Sequence, residues 1–228
     1  MRAAIITRMI TTTEAVRLLL TWLSPAFPTG GFAYSHGLEW AVEAGDIHDE
    51  QSLLAWLEDV LGHGAGWSDA ILLRQALKAA PDDLHDLCAL GVAVAFGKER
   101  RLETTAQGSA FLRAASVWGG PRITALGDLA VPYPDAVGAA AADQAIPCDL
   151  VTAAYLQALA SNLVSAAVRL VPLGQTTGLR VLAALAPILG HVSEASKTAT
   201  LDDIGGACFR SDIAALRHET QHTRLFRT

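Results

Sequence analysis

The sequence predicts an all-α fold, a single helical-bundle-like domain of about ten helices, and three observations carry that expectation. Alanine and leucine are the commonest residues, and both are strong helix formers. Runs that alternate Val, Ile, Thr or Tyr with polar residues between tight turns, the mark of half-buried strands, are missing. Clusters of proline and glycine, such as Pro28 to Gly31, Gly62 to Gly66, Gly119 to Pro121 and Pro172 to Gly174, punctuate the chain between the helical segments. A chain of 228 residues is long enough to bury a substantial core as one domain.

Taken in order, helices are expected near residues 12–24, 37–44, 50–64, 68–79, 82–96, 98–117, 135–145, 148–170, 175–190, 193–199 and 209–222. The first opens behind Thr11 to Thr13, hydroxyls suited to capping. Pro28 to Gly31 stops it, Gly45 ends the second, and the run Gly62 to Gly66 ends the third. Pro81, Gly119 to Pro121 and Pro132 to Pro134 divide the middle of the chain. Pro147 precedes the longest segment, with Asp149 as its cap, and Pro172 to Gly174 follows it. Gly205 and Gly206 set off the last helix. Residues 1–12 read as a flexible N-terminal extension and 13–228 as the domain, with no internal repeat.

Composition bounds the function. Hydrophobic residues make up 51% and charged residues 18%, and the mean hydropathy is +0.32. So few charges suit either apolar surface that faces another protein or an oversized all-helical core. A net charge of -6 and the lack of any Lys/Arg cluster argue against nucleic acid. Seven acidic residues and no Lys or Arg occur from Glu39 to Asp59, whereas four arginines follow from Arg210 onward. Each run suits a solvated face or the steering of an oppositely charged partner. Cys88, Cys148 and Cys208 stand far apart, suit a reducing compartment and give no disulfide framework or metal pair. The start MRAAIITRMITTTE lacks the apolar run of a signal peptide. Arg169, Gln175 and Arg180 interrupt the most apolar region, Leu150 to Val192, which argues against a membrane span. A cytoplasmic protein is expected.

The most distinctive stretch is LSPAFPTGGFAYSHGLE, residues 23–39. Pro25 and Pro28 forbid a continuing helix, and Gly30-Gly31 gives backbone freedom, with positive φ expected at one of them. Phe32, Tyr34 and His36 follow at alternate positions. A short loop loaded with aromatics and a histidine suits recognition, or a connector whose aromatics plug the core. In the segment Leu150 to Arg169, Gln157, Ser161, Ser165 and Arg169 recur every four residues and line one ridge, either an exposed face or a packed seam. The closing run Arg224-Leu225-Phe226-Arg227 alternates cation and apolar side chain, the composition of an interface anchor. Little core is expected from it.

Residues 23–39 closely resemble the signature of the UreF family of urease accessory proteins. The likeness continues through Ser68-Asp69-Ala70 with Leu72-Leu73, ERRLETTAQGSAFL (Glu99 to Leu112), ALASNLVSAAVRLVPLGQT (Ala158 to Thr176) and RHETQHTRLFRT (Arg217 to Thr228), in order over residues 13–228. The resemblance implies a non-enzymatic, all-helical assembly factor without a cofactor of its own. It would dimerise within a complex containing the scaffold UreH/UreD and the GTPase UreG, engage apo-urease, and support GTP-dependent nickel insertion. It also implies that the tail contributes to the scaffold contact. On this reading the partner-binding residues are Pro28, Gly30, Gly31, Phe32, Tyr34, His36, Arg224, Leu225, Phe226 and Arg227. Thr228 stands where a terminal serine is common in the family.

Two motifs point elsewhere. His218-Glu219-Thr220-Gln221-His222 matches H-E-x-x-H, in which two histidines one helical turn apart bind zinc and the glutamate acts as base. A zinc-dependent hydrolase is therefore the alternative, although no strand signal precedes the motif. Gly91 to Lys98 imitates a phosphate loop, but five residues separate its glycines and Glu99 replaces the magnesium-binding hydroxyl. No Ser/His/Asp arrangement or acid–base pair stands out by spacing.

Overall fold

The computed structural model describes residues 10–127 and 129–228. Among the described residues there are twelve α-helices and no strand. The extension expected over 1–12 falls mostly outside them. At its described end, Ile10 packs on the core and Thr11 caps α1 (Thr12–Trp22) in a reciprocal box with Glu14. After a loop come α2 (Leu38–Glu43) and α3 (Glu50–His63), the latter capped by Asp49. Next are α4 (Ala65–Lys78), α5 (Leu84–Val94) and α6 (Gly97–Ala115).

Pro121 opens α7 (Pro121–Leu126), a two-turn helix absent from the sequence expectation. Its first amide groups are held by the Asp143 carboxylate, which accepts from Arg122 and Ile123 N–H. Then follow α8 (Tyr133–Asp143) and α9 (Cys148–Leu170). Asp149 lies inside the first turn of α9 rather than at its cap, and pairs with Arg74. The helix expected over 175–190 is two helices, α10 (Gly174–Ala184) and α11 (Ala186–Ala195), because Pro187 starts a new first turn. Of the segment expected over 193–199, only residues 193–195 are helical, as the end of α11, and a turn follows. The final helix, α12 (Phe209–His218), stops four residues before the expected boundary.

Two apolar clusters fill the interior, and α4 and α9 contribute to both. One gathers α1 and α4 to α8 around Trp22, Phe111 and Tyr155, with Trp22 and Phe111 edge to face at 5.7 Å. The other gathers α2, α3 and α9 to α12 around Leu57, Leu163 and Val181. Arg74 fastens α4 to α9 and α11: its guanidinium reaches Asp149 at 2.9 Å, the Ser196 hydroxyl at 2.9 Å and the Ser193 carbonyl at 2.8 Å. The α9 helix is long and apolar enough to cross a membrane, yet half of that window is covered by the rest of the protein.

Close helix approach depends on α8. Its Ala136, Ala139, Ala140 and Ala141 are wholly buried, and a Cβ on Gly138 would collide with the Leu73 carbonyl of α4. Gly138→Ala should therefore push α8 off α4 and destabilise the protein by about 1–3 kcal/mol, the usual cost of overpacking. Urea denaturation measures this, and an unchanged midpoint would show that the α4–α8 contact can spread freely.

Candidate functional site

The loop between α1 and α2 does not present its side chains to one side. Pro28 is exposed, Gly30 adopts φ +74°, and a 3-10 turn covers Gly31–Ala33. A Cβ on Gly31 would press on Gln107 Oε1 at 3.2 Å and Asn162 Nδ2 at 3.4 Å, so the glycine permits a close approach to α6 and α9. Phe27 packs on Phe111, and Tyr34 is buried. Phe32 alone of the expected recognition aromatics points out, at 71% exposure. His36 sits inside with φ +58°, a strained region for a residue with a side chain. The next residue, Gly37, lies so close to the Ala215 backbone that no side chain fits.

The tail is joined to this loop. Ser35 donates from both its N–H and its hydroxyl to the Thr228 carbonyl, and Arg227 N–H donates to the Ala33 carbonyl. Phe226 is 4% exposed and belongs to the second apolar cluster. Arg169 lies over its ring at 4.3 Å and donates to the Phe32 carbonyl, so one guanidinium ties loop, tail and α9 together. The rest of the α9 ridge is the ordinary outer face: Ser161 and Arg169 bond to carbonyls one turn back. Leu225 and the Arg227 side chain face outward, with Leu225 at 66% exposure, while the partly exposed Arg224 turns its guanidinium onto Glu99. The expectation that the tail adds little core is therefore corrected. Hydrophobic burial of Phe226 and paired main-chain bonds hold it in the fold.

Beneath loop and tail lies a cluster of carboxylates. Glu39 accepts from the N–H groups of Leu225 (2.6 Å) and Phe226 (2.9 Å), and its second oxygen faces His218 Nε2 at 3.1 Å. Glu99 faces His218 Nδ1 at 2.7 Å and pairs with Arg224 at 3.1 Å. Each ring nitrogen of the fully buried His218 imidazole therefore faces a carboxylate, one on α2 and one on α6. Deeper in, Asp69 accepts from Arg100 and from the Tyr155 hydroxyl. Burial alone would raise the Glu103 carboxyl, but His36, Arg100 and Thr228 outweigh it and hold the pKa below the ordinary value.

This arrangement removes the zinc motif. The α12 helix ends at His218, so His222 lies beyond it and exposed, and the two imidazoles do not share a helical face. Both nitrogens of His218 already face carboxylates. Among the described residues no group of three or more His, Cys, Asp or Glu side chains is placed to hold a metal.

A model of the UreF family matches residues 47–186. A urease accessory protein UreF of Roseobacter denitrificans is 50% identical over 222 residues, covering 97% of each chain. Its counterpart in Rhodopseudomonas palustris strain BisA53 is 51% identical, over 94% of this chain and 93% of its own. That of Bradyrhizobium sp. strain BTAi1 is 50% identical, over 94% and 92%. The chain belongs to the UreF family.

The blocks that carried the UreF resemblance converge in space. Asp69 of the second block meets Arg100 of the third, Arg169 of the fourth meets Phe32 of the first, and His218 and the tail close over Glu39 and Glu99. The polar stripe Glu99-Glu103-Gln107 of α6, at four-residue spacing, is buried. That four-residue spacing is the signal in the sequence for an inward polar seam. Likewise the acidic run from Glu39 and the basic run from Arg210 meet each other, through Arg210–Asp46 at 2.9 Å and the tail on Glu39.

Two outcomes follow for this UreF site. Phe226→Ala should cost about 3–5 kcal/mol, as for other buried phenylalanines, whereas Leu225→Ala should stay within about 0.5 kcal/mol of the parent. Thermal unfolding of both variants decides this, and equal stabilities would mean that Phe226 is not a core residue. The second outcome concerns Asp135, which is wholly buried with no hydrogen-bond partner for either oxygen among the described residues. Burial first, and then the Asp69 charge, pushes its pKa well above the ordinary value. The unfolded carboxyl then ionises before the folded one, so its contribution is complete below the ordinary pKa and declines as pH rises toward the folded pKa. Relative to the parent, Asp135→Asn should gain about 1.4 kcal/mol per pH unit from about pH 4 upward until the folded group ionises. Urea denaturation across that range would show a pH-independent difference if the site does not hold its proton.

Proposed function

We propose that this chain is a non-enzymatic adaptor for urease maturation. It acts in the cytoplasm, as a dimer within a complex with the scaffold UreH/UreD and the GTPase UreG, and supports nickel insertion into apo-urease. It biases the GTPase cycle by binding one nucleotide or metal state of UreG better than another, the only way a binding protein can shift an equilibrium. The observation that carries the reading is membership of the UreF family over nearly the whole chain. Its relatives bear the name urease accessory protein, and the geometry supports an adaptor. The carboxylates and histidine that could serve acid–base chemistry are engaged in holding the tail, while Phe32 and Leu225 stand exposed on the joined loop and tail. Two large apolar side chains on a fixed backbone, beside the outward Arg227, have the make-up of a hot spot.

The test uses Phe32→Ala with Leu225→Ala. Both side chains are outside the core, so the melting temperature should hold. Co-purification with UreH/UreD and UreG should weaken by about tenfold or more, an anchor's usual share, and urease activity in cells supplied with the other accessory proteins should fall with it. Undiminished complex formation and full urease activity would remove the docking role of this surface.

A further inference from the structure

A pocket of about 270 Å³ opens at the foot of α12, where the α3–α4 and α5–α6 junctions meet the loop before α2. Its lining is unequal in charge: Asp69, Glu99, Glu103 and Asp212 stand against the guanidinium of Arg100. Three of those carboxylates have partners inside the fold, Asp69 with Arg100, Glu99 with His218 and Arg224, and Glu103 with Gln107 and Thr228. Asp212 has neither a hydrogen bond nor an ion pair on its carboxylate among the described residues. His36 also faces the pocket. Its side chain is 9% exposed, and Nδ1 is buried without a hydrogen-bond partner: it lies 3.4 Å from Glu103 Oε2 but out of alignment. Such a buried acceptor or donor is costly unless something meets it.

The mouth is apolar. Val94 and Phe96 line it and are 40% and 51% exposed. A Cβ on Gly97 would touch Leu216, so the row continues along α12 through Leu216, Ile213 and Phe209, all exposed and spaced three and four apart. Neither half explains the other. A bare cation would use the acids and ignore the apolar row, and an apolar segment would leave the Asp212 carboxylate unmet. A lysine or arginine uses both, since its aliphatic stem covers apolar surface while its head donates to the Asp212 carboxylate. A second copy of this chain, itself at -6, would meet like charge across such a mouth.

We propose that this pocket is a socket for a lysine or arginine side chain carried on an apolar segment of a basic partner protein. The socket is separate from the Phe32–Leu225 surface and stands or falls without it.

The test titrates the whole chain with acetyl-Phe-Arg-amide and with acetyl-Phe-citrulline-amide, its uncharged counterpart, following backbone amide resonances by NMR. The arginine probe should shift Asp212, Ala215 and His36 with a millimolar or tighter dissociation constant, and the citrulline probe should bind about tenfold more weakly. Asp212→Asn should weaken the arginine probe about fivefold without moving the melting temperature. Phe96→Ala should weaken both probes alike. Equal binding of the two probes, shifts mapping elsewhere, no saturable shift up to about 50 mM, or an Asp212→Asn variant that binds as the parent does would each overturn the socket. Saturation of the same resonances by a divalent cation that the arginine probe fails to displace would overturn it too, in favour of a metal ion.

Discussion

The Glu39 carboxylate is the constraint on which the joined loop and tail depend. It is 8% exposed and lies under loop and tail, and a charge in that position is tolerable only when its lone pairs are filled. The tail fills them with the N–H groups of Leu225 and Phe226, and α12 adds His218. Glu99 repeats the arrangement with His218 and Arg224. Detaching the tail would uncover a hydrophobic socket for Phe226 and leave two carboxylates short of partners at once. Such a loss is not local, because His218 is shared between them. The terminal residues are thus held by buried electrostatics as much as by apolar contact.

The same logic runs through the centre of the molecule. Asp69 of α4, Arg100 of α6 and Tyr155 of α9 meet where the two apolar clusters adjoin, and each supplies what the next lacks. Burial first, then the neighbouring acids, set the Arg100 environment: desolvation works against its charge, and Asp69 and Glu103 more than restore it. Arg74 performs a similar role on the far side of α4. Interior polar groups of this kind add little net stability when replaced as a set, but removing one partner is expensive. They fix which helix faces which, in a fold otherwise packed with interchangeable alanines and leucines.

The fold was legible because its punctuation was honest. Thr11, Asp49, Pro121 and Pro147 stand at helix starts, and the glycine and proline clusters lie between helices. Misreadings came where a proline or glycine was weighed alone. Pro187 opens α11 inside a run that reads as one helix, and Gly120-Pro121 opens a helix where only a break was expected. The site was less legible, for a physical reason. A glutamate destined for solvent and one destined for a buried pair look alike until their partners are found. Those of Glu39 lie 179 to 187 residues away in sequence. His218 was read by its spacing to His222, a relation that holds only if the helix continues, and it does not. In the loop, the alternation of Phe32, Tyr34 and His36 suggests three side chains on one face. A 3-10 turn and a left-handed His36 instead send Phe32 outward and bury Tyr34 and His36.

An adaptor needs contact residues that are exposed yet already ordered, since ordering a flexible segment on binding costs affinity. Loop and tail meet that need by opposite use of neighbouring residues. Phe226 is buried so that Leu225 can be exposed in a fixed place, and Tyr34 and Ser35 are buried so that Phe32 can be. Arg169, bonded to the Phe32 carbonyl and stacked on Phe226, makes the two halves one unit. Displacing either segment therefore disturbs the other and, through Glu39 and Glu99, the end of α12. A partner that binds the exposed pair is thereby coupled to the carboxylate cluster without touching it. That coupling is the physical basis on which this surface could distinguish one state of a partner from another.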